Sequence, residues 1–147
     1  MNQMLASLAL LGSITSLTMA STTWIVDPGS KLPTIQQAID LASNGDTVLV
    51  MPGTYTSGGA QVVELLGKQI TLVSNDGPEL TIIDGEAARR CVVCISGESR
   101  ETIIDGFTLT AGDTNAGGGG LYCLQSSPTV MNCIIKNNTA GDYGGGV

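Results

Sequence analysis

Two aspartates stand fourth in identical five-residue stretches. Thr81-Ile82-Ile83-Asp84-Gly85 returns letter for letter as Thr102-Ile103-Ile104-Asp105-Gly106, 21 residues later. If that shift is one turn of a coiled chain, the two carboxylates stack about 4.8 Å apart on neighbouring strands. So close together they share a proton or hold a cation. Glycoside cleavage needs two carboxyl groups about 5 Å or more apart across a cleft. Asp84 and Asp105 are therefore the candidates for acid–base catalysis. The competing reading is a corner ladder, because Asp before Gly caps local amides at a bend. A looser echo, Thr129-Val130-Met131-Asn132-Cys133, puts Asn132 on the third rung. Asparagine suits capping better than proton transfer, and this favours the ladder.

Other side chains offer different chemistry. Asp113, Asn115 and Asp142 supply oxygen ligands near a glycine-rich loop and are the candidates for Ca2+. Calcium takes six to eight oxygens, and these segments hold no recognisable ligand pattern, so a solvated turn is favoured and no cofactor is implied. Arg89, Arg90 and Arg100 read as solvated loop residues. Cys91-Val92-Val93-Cys94 has redox spacing, yet residues three apart on a strand point to opposite faces, and no helix begins there as thioredoxin-like chemistry requires. Cys94 and Cys123 fall at comparable places on successive coils. They are the disulfide candidate, against an inward ladder of free thiols. Asn137-Asn138-Thr139 is a glycosylation sequon, although asparagine at a turn is explained by its tolerance of the left-handed region. Trp24 and Tyr55 are too far apart in the chain to form a sugar platform and suit an end cap.

Composition limits what these residues can do. The 147 residues carry 13 acidic and 6 basic side chains, a formal charge of -7, and no histidine. A Ser-His-Asp triad, a Cys-His dyad and histidine-ligated zinc are excluded. Without a basic stripe to displace phosphate counterions, nucleic acid is not an expected partner. Aromatic residues make up 3% and glycine counts 20, so the core must be aliphatic and turned by glycine.

The elements that must position these groups are short. Ile35, Ala38, Ile39 and Ala42 recur with helical period, and Thr34 with Gln37 forms a capping box after Pro33. The rest is aliphatic and β-branched runs cut by Gly, Asn and Asp, the strand signal. Gly118-Gly119-Gly120-Leu121 returns as Gly144-Gly145-Gly146-Val147, 26 residues on. Periods in the twenties mean stacked units that cannot bury an apolar face alone. In Ile104-Asp105-Gly106-Phe107-Thr108-Leu109 the apolar alternation breaks across Asp-Gly, which places a corner there. The expected fold is all-β: a right-handed parallel β-helix with a short N-terminal capping α-helix. Residues 1–20 have no charged side chain and end in Thr18-Met19-Ala20, small at the positions a signal peptidase reads. The run is too short and too polar to span a bilayer well. The expectation is a signal peptide at 1–20, export to the cell surface or beyond, and no integral membrane segment. Residues 21–147 then form the N-terminal part of the β-helix, and the want of a cap after Val147 predicts a chain cut short.

The motifs Thr34-Ile35-Gln36-Gln37-Ala38-Ile39, Gly45-Asp46-Thr47-Val48 and Pro52-Gly53-Thr54-Tyr55 resemble the opening of pectate-lyase-like and pectin-methylesterase-like β-helix proteins. Gly118-Gly119-Gly120-Leu121-Tyr122, with Ile135 and Asn138 in a Phe-x-x-Asn-like element, is similar to the repeats of polymorphic outer-membrane proteins. The resemblance implies a parallel β-helix, and that fold hosts lyases, hydrolases, esterases, adhesins and spacers. No residue matches a catalytic arrangement of these families. The expected function is a secreted or surface-displayed scaffold for adhesion or for binding polysaccharide or cell-surface glycan. The alternatives are the opening of a polysaccharide lyase or hydrolase with its machinery past residue 147, or a structural spacer.

Overall fold

The computed structural model describes residues 20–147; the expected signal peptide lies outside them apart from Ala20. The chain begins with β1 (Thr23–Val26), α1 (Ile35–Leu41), β2 (Thr47–Val50), β3 (Gly53–Tyr55) and β4 (Gln61–Glu64). It continues through β5 (Thr71–Ser74), β6 (Thr81–Asp84), β7 (Arg90–Cys94), β8 (Ile103–Asp105) and β9 (Thr108–Thr110). The last strands are β10 (Asp113–Thr114), β11 (Leu121–Cys123), β12 (Thr129–Met131), β13 (Ile134–Lys136) and β14 (Thr139–Ala140). They pair into a five-stranded sheet β1-β2-β5-β8-β12, a four-stranded sheet β3-β6-β9-β13, a three-stranded sheet β4-β7-β11 and the pair β10-β14. Every pairing is parallel. From β2 onward consecutive strands lie in different sheets, and each sheet gathers one strand per turn. The molecule is a parallel β-solenoid.

The register corrects the period read from the repeated motif. On the five-stranded sheet Thr23 faces Thr47, Thr47 faces Thr71, Thr71 faces Ile103 and Ile103 faces Thr129, so successive turns take 24, 24, 32 and 26 residues. The 21-residue shift is not a turn. Thr81–Asp84 lies in the four-stranded sheet and Ile103–Asp105 in the five-stranded one. The recurring letters mark a strand followed by a corner on two faces, but the corners differ. Gly106 itself is left-handed, whereas after Asp84 the left-handed residues are Glu86 and Ala87, and Gly85 packs against the Arg89 and Ala111 carbonyls. The glycine repeat is a true turn: the Gly118, Gly120 and Leu121 amides donate to the Gly144, Gly145 and Gly146 carbonyls at 2.8–3.0 Å.

The Asp-Gly break is a corner, as the alternation predicts. Gly106 has φ +83°, and beyond it the chain leaves β8 for β9 with Phe107 fully buried at the bend. One turn later the left-handed place falls to Asn132, φ +51°.

Inward residues form aliphatic ladders. Val48, Leu72 and Ile104 line the wide sheet, Ile83 and Leu109 the second, Val63 and Val92 the third, all fully buried. Opposite this body the coil narrows to a neck where backbone touches backbone. A Cβ on Gly112 would collide with the Gly119 carbonyl, one on Gly119 with Thr139, and one on Gly145 with Asn138. The Asn138 side chain bridges the neck, donating to the Leu109 carbonyl at 3.0 Å and accepting from the Gly112 amide at 2.7 Å.

Helix α1 closes the first turn. Thr34 is its N-cap and accepts from the Gln37 amide, while Ile35, Ala38 and Ile39 are buried beneath it. The Gln36 side chain accepts from the Glu64 amide at 2.8 Å and donates to the Glu64 carbonyl at 3.2 Å, replacing the neighbour that edge strand β4 lacks. The Lys68 ammonium donates to the carbonyls of Ile39, Asp40 and Ala42 at 2.6–3.0 Å, a cation on the negative end of the helix.

Candidate functional site

The carboxylate pair does not form. Asp84 stands opposite Thr110, whereas Asp105 stands between Val73 and Met131 on another sheet. Each serves a corner: Asp84 accepts from the Glu86 amide at 2.7 Å and Asp105 from the Asn132 side chain at 2.8 Å. Asn132 itself sits one residue past the rung expected for it, because Asp105 faces Met131.

The oxygen ligands proposed for calcium are also dispersed. Asp113 and Asn115 line one shallow concavity with Ala87 and Ala88. Asp142 lines another, with Tyr122, Cys123 and Tyr143. Among the described residues no group of three or more acidic or thiol side chains converges as a metal site would require.

The adjacent arginines hold loops rather than floating in solvent. Arg89 pairs with Glu86 and donates to the Gly59 carbonyl. Arg90 donates twice to the Gly117 carbonyl, and its guanidinium lies 4.3 Å from the centre of the Tyr122 ring, a cation–π contact.

Cys91 and Cys94 are not divided between core and solvent: both are fully buried and pack in the hydrophobic core. The alternation breaks inside the third sheet, where Val62 and Val63, and one turn later Cys91 and Val92, are adjacent buried pairs. Cys91 donates to the Thr110 carbonyl at 3.2 Å, and burial pushes its thiol up to about 11. Cys94 and Cys123 are register partners on β7 and β11, as their places in successive coils suggested. All four cysteines are free thiols.

Two buried carboxylates carry weight that the sequence did not disclose. Asp46 accepts from the Thr22 amide at 2.7 Å, the Ser43 amide at 2.9 Å and the Trp24 indole at 3.0 Å. The amides of Ser43 and Thr22, then the indole, hold its carboxyl below the usual aspartate range. Glu98 is 2% exposed and accepts from the Gly67 amide at 2.8 Å, the Ser96 amide at 2.9 Å and the Ser126 hydroxyl at 2.8 Å. Burial alone raises its pKa; the hydrogen bonds outweigh burial and leave it lowered. One side chain thus joins corners of three successive turns. Nothing in Ser96-Gly97-Glu98-Ser99 distinguishes it from a solvated loop acid.

The most regular surface is the outside of the five-stranded sheet. On β2 and β5 burial alternates strictly, with Thr47, Leu49, Thr71 and Val73 outward. Register extends these positions into two ladders. One runs Thr23, Thr47, Thr71, Ile103, Thr129, and the other Ile25, Leu49, Val73, Asp105, Met131. At about 4.8 Å per strand the ladders run for about 19 Å. Asp105 is the single ionisable group in them. Ile25 is 53% exposed and Met131 40%.

No helix among the described residues is long and apolar enough to cross a membrane. The chain matches no protein-family model, no curated protein and no solved structure.

Proposed function

We propose that the solenoid is a secreted or surface-displayed binding scaffold whose five-stranded face takes an extended, uncharged polysaccharide. The observation that carries this reading is the pair of outward ladders. Four threonine hydroxyls recur along one line and four aliphatic or thioether side chains along the next. A polymer of sugar rings presents the complementary surface, with C–H faces for the aliphatic line and hydroxyl edges for the threonines. The ladders hold no cation to attract a polyuronate or a nucleic acid, and the net charge of -7 repels both. The export signal read at residues 1–20 and the resemblance to pectate-lyase-like and outer-membrane repeat proteins point to the same setting.

The test is retention of the purified protein on insoluble neutral polysaccharides and on polyuronates. Retention on a neutral polymer is expected, with at least about a tenfold loss in Leu49→Lys and Val73→Lys, whose side chains add a charged head to the apolar line. Binding that survives both substitutions, or no binding to any neutral polymer, overturns the reading. Release of unsaturated ends from a polyuronate identifies a lyase instead.

A further inference from the structure

The third sheet ends in a pair of sulfurs with unequal surroundings. Cys94 and Cys123 are register partners in a parallel pair, so their Cα atoms lie about 4.8 Å apart, within the span a disulfide accepts. Cys94 is fully buried, whereas Cys123 is half-buried. Cys123 borders an open concavity of about 370 Å³ with Gly117, Gly118, Tyr122 and Tyr143. The other two thiols have no such partner: Cys91 rests on the Thr110 carbonyl and Cys133 lies 3.9 Å from the Ile104 carbonyl.

We propose that Cys94 and Cys123 form a thiol–disulfide exchange site, with Cys123 as the accessible nucleophile and Cys94 as the buried sulfur that resolves it. The substrate class is a small aliphatic disulfide. The Cys123 thiolate attacks one substrate sulfur, forming a mixed disulfide and expelling the first substrate thiolate. Cys94 then gives up its proton to that thiolate and attacks the Cys123 sulfur, expelling the second. The protein gains one disulfide and loses two hydrogens; the substrate disulfide leaves as two thiols. The division of labour agrees with the local electrostatics. The neighbouring Cys94 thiol lowers the Cys123 thiol, while burial and the Glu98 carboxylate oppose it. The same contact with Cys123, followed by burial, raises Cys94. A thiolate that is both stabilised and reachable is the one that reacts.

Oxidised glutathione is the probe, with intact mass and peptide mapping as the readout. The wild type should lose two hydrogens and yield a Cys94–Cys123 cross-linked peptide. Cys94→Ser should retain one glutathione on Cys123, and Cys123→Ser should leave Cys94 unmodified. Closing a loop of roughly 30 residues should raise Tm by roughly 10 °C in the oxidised protein, reversed by a reducing thiol. Cys94→Ala, compared by circular dichroism, separates loss of exchange from loss of fold. No mass change in the wild type, or modification of Cys91 or Cys133 as fast as Cys123, overturns the assignment.

Discussion

The body and the neck of the coil solve one problem, spacing the chain against itself, by opposite means. In the body, Val48, Leu72 and Ile104 hold facing sheets apart with side chains. In the neck, Gly85, Gly112, Gly119 and Gly145 leave nothing between the backbones. The difference teaches where each region is vulnerable. A ladder that loses methyl groups leaves a cavity, and its neighbours relax partly into it. A neck that gains one methyl must move a carbonyl already tied to the adjoining turn, as the Gly119 carbonyl that Gly112 faces is to the Cys91 amide at 3.0 Å. Gly112→Ala should therefore cost more than a large truncation in the body: about 4 kcal/mol or above, against about 3 kcal/mol for Leu72→Ala. Urea unfolding of both variants checks the order. If Leu72→Ala proves the more damaging, the neck is more compliant than its backbone contacts imply.

The corners lie between these regimes, and Glu98 tests them. Its carboxylate accepts from three turns. Glu98→Gln replaces one acceptor oxygen by an NH2 group that must face a donor, so a loss of about 2 kcal/mol is expected. The pH dependence has a definite sign. Glu98 and Asp46 are lowered from the ordinary values of 4.5 and 3.8. The unfolded chain therefore takes up protons before the folded one does. The stabilisation is complete above pH 4.5 and is lost as pH falls through the lowered folded values. Chemical unfolding followed from pH 7 downward should show stability falling only in that acid range. The slope should be shallower in Glu98→Gln, which retains only the Asp46 contribution.

The body was far more legible in the sequence than the neck or the site. Aliphatic alternation in Thr47–Val50 and Thr71–Ser74 marks strands with one buried face, and the break at Asp105-Gly106 marks a corner, because both are local consequences of side-chain parity. The 21-residue repeat misled for a related reason. The same Asp-Gly letters serve two different corners, left-handed at Gly106 in one and at Glu86 and Ala87 in the other, so similar letters do not report a shared face. Which strands become neighbours depends on how many residues each turn spends between corners, and that number runs from 24 to 32 here. The burial of both Cys91 and Cys94 in the core was hidden because burial does not alternate along this strand, Cys91 to Cys94 all being buried. Glu98 was hidden because its donors, Gly67, Ser96 and Ser126, are mostly backbone or distant in sequence.

The smallest expected effect belongs to the cap, which shields the body alone. Ile35, Ala38 and Ile39 lie over the first turn, so α1 replaces the apolar surface another turn would supply. Its seven residues are too few to hold helical form without tertiary contacts. Its ends are fixed by Thr34 on one side and by the Lys68 ammonium on the other. Thr34→Ala removes one hydrogen bond at a helix already pinned by packing, and about 1 kcal/mol should be lost. Hydrogen exchange locates that loss better than global unfolding does. The α1 amides and the first strand beneath them should exchange faster, while Gly112, Gly120 and the Asn138-bridged turns keep their protection. Acceleration that spreads to the neck would mean that the two regions open as one cooperative unit, and the distinction between them would then be one of packing and not of stability.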